Sequence, residues 1–279
     1  LAQTLQLYPE LMKNLLFTDI DGTLIDHHTY SYALAKKALK KLALNSVPVI
    51  FCSSKTFSEQ VYLQKKLDIN YPFIFENGSA VAIPKEFFPS ITANRVNISE
   101  SHDMVVLTKK NSNDIGIALK KINTLFNLNC YGYSKSNDKE IAAKTGLHGK
   151  AVHRAKGRWF TESLFSERPT QEALQVLESF GLCALQGGRF FTVQGKDVDK
   201  GKAVEVVIQL FQDLWGEKTT TIGIGDSLND APFLKVVDLP FLVQKHDGCW
   251  AEVKANNLTK IRAIGPKGFS EMTSAILNL

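Results

Sequence analysis

Leu15-Leu16-Phe17-Thr18-Asp19-Ile20-Asp21-Gly22-Thr23-Leu24 decides how this sequence is read. A short apolar run, of the length a buried strand needs, ends in two carboxylates two positions apart and then a glycine. If the backbone curls after the strand, both carboxylates face one crevice, and Gly22 permits that curl. Asp19 can then attack an electrophile while Asp21 gives and takes protons. A single Asp after a strand is more often a cap or a turn former, so the reading depends on partners at other strand ends.

Working outward, those partners appear. Residues 47–52 form a second apolar run, ending in Ser53-Ser54-Lys55, whose hydroxyl and N–H groups either hold a phosphoryl oxygen or cap the next helix. That helix opens on Thr56-x-x-Glu59, a capping-box pattern. A third run, residues 72–75, ends in Glu76-Asn77-Gly78. Asp199-Lys200-Gly201-Lys202 opens a helix over residues 200–214; Lys200 there is either a surface charge or the neutraliser of a phosphate and the nucleophile. A strand at 219–224 leads into Gly225-Asp226-Ser227-Leu228-Asn229-Asp230, which sets Asp226 at a strand end and Asp230 four residues on, suited to a hard cation. Another strand is expected at 241–243.

These runs alternate with amphipathic helices, as at residues 33–42, in the manner of an α/β, Rossmann-like doubly wound sheet, whose ligands sit at the carboxyl ends of the strands. Lys36, Lys37, Lys40 and Lys41 fall at helical spacing between apolar residues and read as a solvated face. From residue 84 to 194 the texture changes. A helix pattern at Ile115, Leu119, Ile122 and Phe126, another at 173–180 and a hairpin turning at Gly187-Gly188 suggest an inserted α+β unit. The expected division is a discontinuous core, 11–83 and 197–279, around an insert at 84–196.

Composition narrows the class. With 279 residues, 44% of them hydrophobic, the chain can bury two cores without staples. The four cysteines show no Cys-x-x-Cys pair, which argues against zinc and a disulfide scaffold and for a reducing cytoplasm. The opening residues carry no signal-peptide pattern and no apolar run reaches about 20 residues, so neither secretion nor a membrane partner is expected. The net charge of +5 is spread rather than banked with aromatics, which favours a small anionic substrate over nucleic acid, and the phosphoryl-holding motifs make that substrate a phosphorylated metabolite.

In this order, the four motifs resemble the haloacid dehalogenase superfamily of phosphotransferases. The resemblance implies that Asp19 is the nucleophile and a magnesium ligand, and that Asp21 is the acid/base and binds magnesium through its backbone carbonyl. It gives Asp226 and Asp230 to the metal site, Gly22, Ser53, Ser54 and Lys200 to the phosphate, and Asn229 a supporting place. An Asp at position 21 suits phosphatases and phosphomutases. Only about 30 residues separate Asp21 from Ser53, whereas about 145 separate Ser53 from Lys200, which resembles the α/β cap of the Cof-like type IIB branch rather than a mutase.

A closer resemblance is to the mannosyl-3-phosphoglycerate phosphatase family. It runs through Asp26-His27-His28-Thr29-Tyr30-Ser31, Thr145-Gly146-Leu147, Gly187-Gly188-Arg189-Phe190 and Gly265-Pro266-Lys267-Gly268-Phe269. In the segment 158–163, Trp159 and Ser163 stand where that family has Glu and Pro. Such a substrate carries a carboxylate and hydroxyls beside its phosphate, so the cap should supply a guanidinium and polar groups. Arg189, beside Gly188 at the turn, is the first candidate, followed by Arg158 and Glu162, each of which also reads as a surface or interdomain residue. His27 and His28 read as packing residues, outside the metal site. A broader sugar-phosphate phosphatase and a phosphotransferase remain the competing readings.

Overall fold

The computed structural model describes residues 14–88, 95–166, 168–187 and 190–277. Strand β1 (Asn14–Thr18) leads to helix α1 (Ala33–Leu44), β2 (Val49–Phe51) to α2 (Phe57–Leu67), and β3 (Phe73–Phe75) turns directly into β4 (Ala80–Pro84). After β5 (Arg95–Asn97) and β6 (His102–Val106) comes the insert: α3 (Ser112–Phe126), α4 (Asp138–Thr145), α5 (Lys150–Lys156), β7 (Glu162–Leu164), α6 (Gln171–Ser179), β8 (Leu182–Gln186) and β9 (Phe191–Gly195). The chain returns through α7 (Lys200–Trp215), β10 (Thr220–Gly225), α8 (Ala231–Leu234), β11 (Leu239–Gln244), β12 (Thr259–Ile264) and α9 (Gly265–Ile276).

The central sheet runs β12-β11-β10-β1-β2, parallel throughout. Its inner strands read as continuous apolar runs because both faces are covered. Leu16 packs with Ala38 and Leu42 of α1 and with Phe269 and Met272 of α9. Leu15 and Phe17 point the other way, onto Val204, Val207 and Phe211 of α7. The two helix layers fix the orientation of β1, and so of the residues that leave its end.

The third apolar run, grouped by its sequence with the doubly wound strands, is not a strand of the central sheet. β3 touches the end of β2 at one parallel bridge, Cys52 to Ile74, and otherwise pairs antiparallel with β4 in a second sheet ordered β3-β4-β6-β5. Glu76, Asn77 and Gly78 all have positive φ, which reverses the chain at once and leaves no room for a crossover helix. The boundary expected at residue 84 falls on the last residue of β4, inside this sheet. The insert's own sheet, β7-β9-β8, is covered by α3 and α6 through Ile115, Leu119, Ile122, Leu177, Leu182 and Val193. Where the chain crosses between core and insert, Asp197 clasps both strands: Thr108 Oγ1 donates to Oδ1 and the Lys109 N–H to Oδ2, each at 3.0 Å.

Candidate active site

Each element of the site is placed by local chemistry at a strand end. The Asp19 N–H donates to Ile224 O at 3.0 Å, so Asp19 leaves β1 in register with β10. The chain then curls: Leu24 and Ile25 N–H groups both donate to Ile20 O, and Gly22 N–H to Ile25 O at 2.9 Å. Gly22 sits at φ +81°, and a Cβ there would lie 2.5 Å from Asp226 Oδ2, so the glycine is required for both conformation and space.

Helix α7 is capped by Asp199, whose side chain accepts from the Lys202 N–H at 3.0 Å, and this points Lys200 inward. The Lys200 ammonium is buried and donates to Asp19 Oδ1 at 2.7 Å and Asp230 Oδ1 at 2.6 Å. The second Asp230 oxygen accepts from the N–H groups of Asp226 and Ser227, both at 3.0 Å. The Ser227 hydroxyl is shared between Asp230 Oδ2 and Asn229 Oδ1. Asp230 thus has both oxygens engaged; it locks the loop and Lys200 together.

Asp19, Asp226 and Asp230 offer oxygens that all lie within 4.8 Å of one another, the one such cluster of three or more ligand-type residues among the described residues. Burial pushes the Asp19 carboxyl up to about 7, against the pull of Lys200 and with the push of Asp230. Burial, then Asp230 and Asp19, also hold Asp226 well above the ordinary range. Three buried carboxylates face one ammonium, and that deficit of positive charge, presented on hard oxygen donors, fits a divalent cation.

The expected phosphate motif divides. Thr56, not Ser53 or Ser54, caps α2: its Oγ1 accepts from Glu59 N–H while Glu59 Oε2 accepts from Thr56 N–H, the capping box read from the sequence. Ser53 is buried, with its N–H committed to Ile74 O in the sheet and its Oγ accepting from Lys55 N–H at 3.3 Å. Ser54 lines the cavity. Lys55, quoted in the motif but given no role, reaches Asp21 Oδ2 at 2.9 Å.

A cavity of about 620 Å³ spans these groups and the underside of the insert, which contributes Tyr133, Arg158, Ser163, Leu185, Phe190 and Thr192. Arg158 is therefore in the cavity wall, donating to Ser54 O at 3.3 Å and Thr161 Oγ1 at 2.9 Å, with its guanidinium 4.9 Å from the Tyr133 ring centre. Glu162 does not join it: it is buried within the insert, where Oε2 accepts from Ser134 N–H, because alternate residues of β7 face opposite ways. Gly188 and Arg189 lie outside the described residues. His27 stacks on His246 at 4.6 Å with His28 edge-on, and His27 and His246 line the cavity apart from the carboxylate cluster. All four cysteines are free, and no helix of the described residues is long and apolar enough to cross a membrane.

Two further residues escaped the sequence reading. Asn77 lines the cavity with its buried Oδ1 unpartnered among the described residues. Glu76, fully buried beside it, accepts from Trp159 N–H, Phe160 N–H and Thr161 Oγ1, at 2.8, 2.9 and 2.8 Å. Their signal was the Glu-Asn-Gly triplet itself, polar residues at the end of an apolar strand where a turn alone would suffice.

Comparison with known proteins agrees with this geometry. A family model described as haloacid dehalogenase-like hydrolase matches residues 16–247. The chain is 36% identical to a glucosyl-3-phosphoglycerate/mannosyl-3-phosphoglycerate phosphatase of Methanococcoides burtonii, over 96% of this chain and 97% of that one. It is 35% identical to a mannosyl-3-phosphoglycerate phosphatase of Pyrococcus horikoshii, over 90% of this chain and 97% of the relative. Among solved structures, a HAD subclass IIB sugar phosphatase superposes with a TM-score of 0.61 at 18% identity, covering 95% of this chain and all of that one. A superfamily phosphatase from Bacteroides thetaiotaomicron gives 0.62 at 16%, covering 96% of each chain. With the motif order, the sheet and the sequence match all in agreement, this chain belongs to the haloacid dehalogenase-like hydrolases.

Proposed function

We propose that the chain is a magnesium-dependent phosphomonoester hydrolase that works through an aspartyl-phosphate on Asp19 and acts on mannosyl-3-phosphoglycerate, releasing mannosylglycerate and phosphate. The observation that carries the chemistry is Lys200 bridging Asp19 and Asp230 beside Asp226, at the floor of a cavity that also holds Asp21. The substrate rests on the names of the relatives at 35–36% identity.

In the first half-reaction an Asp19 oxygen attacks phosphorus, the bond to the leaving oxygen breaks, and the Asp21 carboxylic acid protonates that oxygen. In the second, the Asp21 carboxylate takes a proton from water, which attacks the aspartyl-phosphate and frees Asp19 and inorganic phosphate. Lys200 offsets the negative charge gathered on Asp19 and the incoming phosphate. The Asp19 and Asp226 carboxylates, with the Asp21 carbonyl, would hold magnesium, which supplies neutralisation of phosphoryl oxygens. Asp230, with its oxygens already engaged, keeps Lys200 and the 226–230 loop in place. Gly22, Ser54 and the Ser53 hydroxyl would border the phosphate, and Asn229 the loop beside it.

Arg158 is the described guanidinium for the glycerate carboxylate: it is held in the cavity wall by neutral acceptors, and its buried Nε has no partner among the described residues. Arg189 keeps its proposed place on sequence alone, while Glu162 shapes the insert around Ser134. The test is phosphate release from mannosyl-3-phosphoglycerate, glucosyl-3-phosphoglycerate and simple hexose phosphates, with and without magnesium. The reading expects magnesium-dependent release from mannosyl-3-phosphoglycerate at a kcat/KM at least on the order of tenfold above the hexose phosphates. Equal rates on all would establish the broader sugar phosphatase instead, and transfer only to an added alcohol would establish a phosphotransferase.

A further inference from the structure

Asp21 is a functional carboxylate that Lys200 does not reach: the Lys200 ammonium pairs with Asp19 and Asp230. The Asp21 side chain is 38% exposed, against 8% for Asp19 and none for Asp230. It follows Asp19 into the curl at Gly22, where the backbone leaves the sheet, so nothing in the strand register fixes its side chain. An acid/base must nonetheless present its oxygen within about 2.6–3.2 Å of the leaving group.

Lys55 supplies the restraint. Its ammonium is 2.9 Å from Asp21 Oδ2 and 3.6 Å from Glu59 Oε1, and its side chain is only 14% exposed. The Tyr30 ring centre lies 5.8 Å from the same nitrogen, forming one more wall. Glu59 is itself fixed, because its other oxygen closes the capping box on Thr56 N–H at 2.9 Å. Thr56 Oγ1 in turn donates to Arg154 O of α5, across the boundary between core and insert. A helix-start ion pair on an open surface would contribute little and would not be held at both ends. This one lines the cavity and joins a rigid helix terminus to the acid/base.

We propose that Lys55, buttressed by Glu59, is a positioning residue that sets the Asp21 carboxylate for proton transfer to the leaving group. The inference rests on the reading of Asp21 as acid/base given above. It makes a claim that a structural role would not: Lys55 matters in proportion to how much the leaving group needs a proton.

The experiment compares Lys55→Met, Lys55→Arg and Glu59→Gln with the full-length wild-type chain, in magnesium, on a series of aryl phosphates of rising leaving-group pKa and on an alkyl phosphate. Glu59→Gln keeps an acceptor for the capping box while removing the charge. For Lys55→Met, the rate of alcohol release is expected to fall on the order of 100-fold for the alkyl ester and only a few-fold for dinitrophenyl phosphate, whose leaving group needs no acid. Lys55→Arg should restore part of the loss, Glu59→Gln should show a weaker version of the same trend, and the magnesium concentration for half-maximal rate should stay put. An equal loss across all leaving groups, or no loss in a folded Lys55→Met chain, overturns the proposal; so does Glu59→Gln at wild-type slope. Failure of the parent reading has a separate signature: Asp21→Asn would then show no loss that grows with leaving-group pKa, whatever Lys55 does.

Discussion

Asp19 combines three properties that seldom meet in one carboxylate: it is buried, it is hydrogen-bonded to a lysine, and its acidity is weakened to about 7 by burial. An amide at this position keeps the shape and loses the proposed nucleophile. Asp19→Asn is expected to lower kcat by on the order of 10⁴-fold or more while leaving the far-UV circular dichroism unchanged. Turnover within tenfold of wild type in a folded sample would remove Asp19 from the reaction. At this scale the placement of Asp19, Asp226, Asp230 and Lys200 was legible, because each sits next to a strand or helix end that its own pattern announces. Lys55 and Glu76 were not, since their partners, Asp21 and residues 159–161, lie 34 and more than 80 positions away and nothing local marks the pairing.

Among the elements, the turn joining β3 to β4 is the most consequential small piece. Its Glu76 carboxylate gathers two N–H groups and one hydroxyl from the segment that leads into β7, and so ties the insert to the core beside the cavity. Glu76→Ala would strand the buried donors, destabilising the chain by about 2–3 kcal/mol on the scale of a lost charged acceptor. Thermal unfolding should report the loss, with KM for the sugar substrate rising as the insert loosens. An unchanged melting temperature would mean that other contacts, such as Thr56 to Arg154, suffice to seat the insert. The strands of the parallel sheet were readable because burial on both faces makes them apolar throughout. β5 and β12, with mostly exposed or half-exposed residues, gave no such pattern, and β3 misled because its apolar character said buried without saying which neighbour.

For the molecule as a whole, the concentration of negative charge at Asp19, Asp226 and Asp230 works against folding, and a bound cation would offset it. Magnesium should therefore raise the melting temperature: at a hundredfold excess over Kd the stabilisation is about 2.7 kcal/mol, or several degrees for a chain of this size. The effect should depend on pH in a definite direction. A proton and the cation compete for Asp19, whose carboxyl is raised to about 7, so affinity should weaken by roughly tenfold for each pH unit below that value and level off above it. Calorimetric titration at several pH values measures this, and a pH-independent Kd between 5 and 8 would refute it.

The Asp197 clasp has a consequence for how such a chain can be built. Because the Asp197 carboxylate of the returning segment accepts from Thr108 Oγ1 and the Lys109 N–H of the outgoing one, each at 3.0 Å, the two segments run side by side. The two chain connections of the insert thus sit at one place, while Glu76 and Thr56 seat it on the core elsewhere. Joining the two stubs by a link of about three residues, which spans roughly 10 Å, would excise it without rerouting the core chain. A different insert could be spliced between the same two stubs without moving the strand and helix ends that carry Asp19, Asp226 and Lys200.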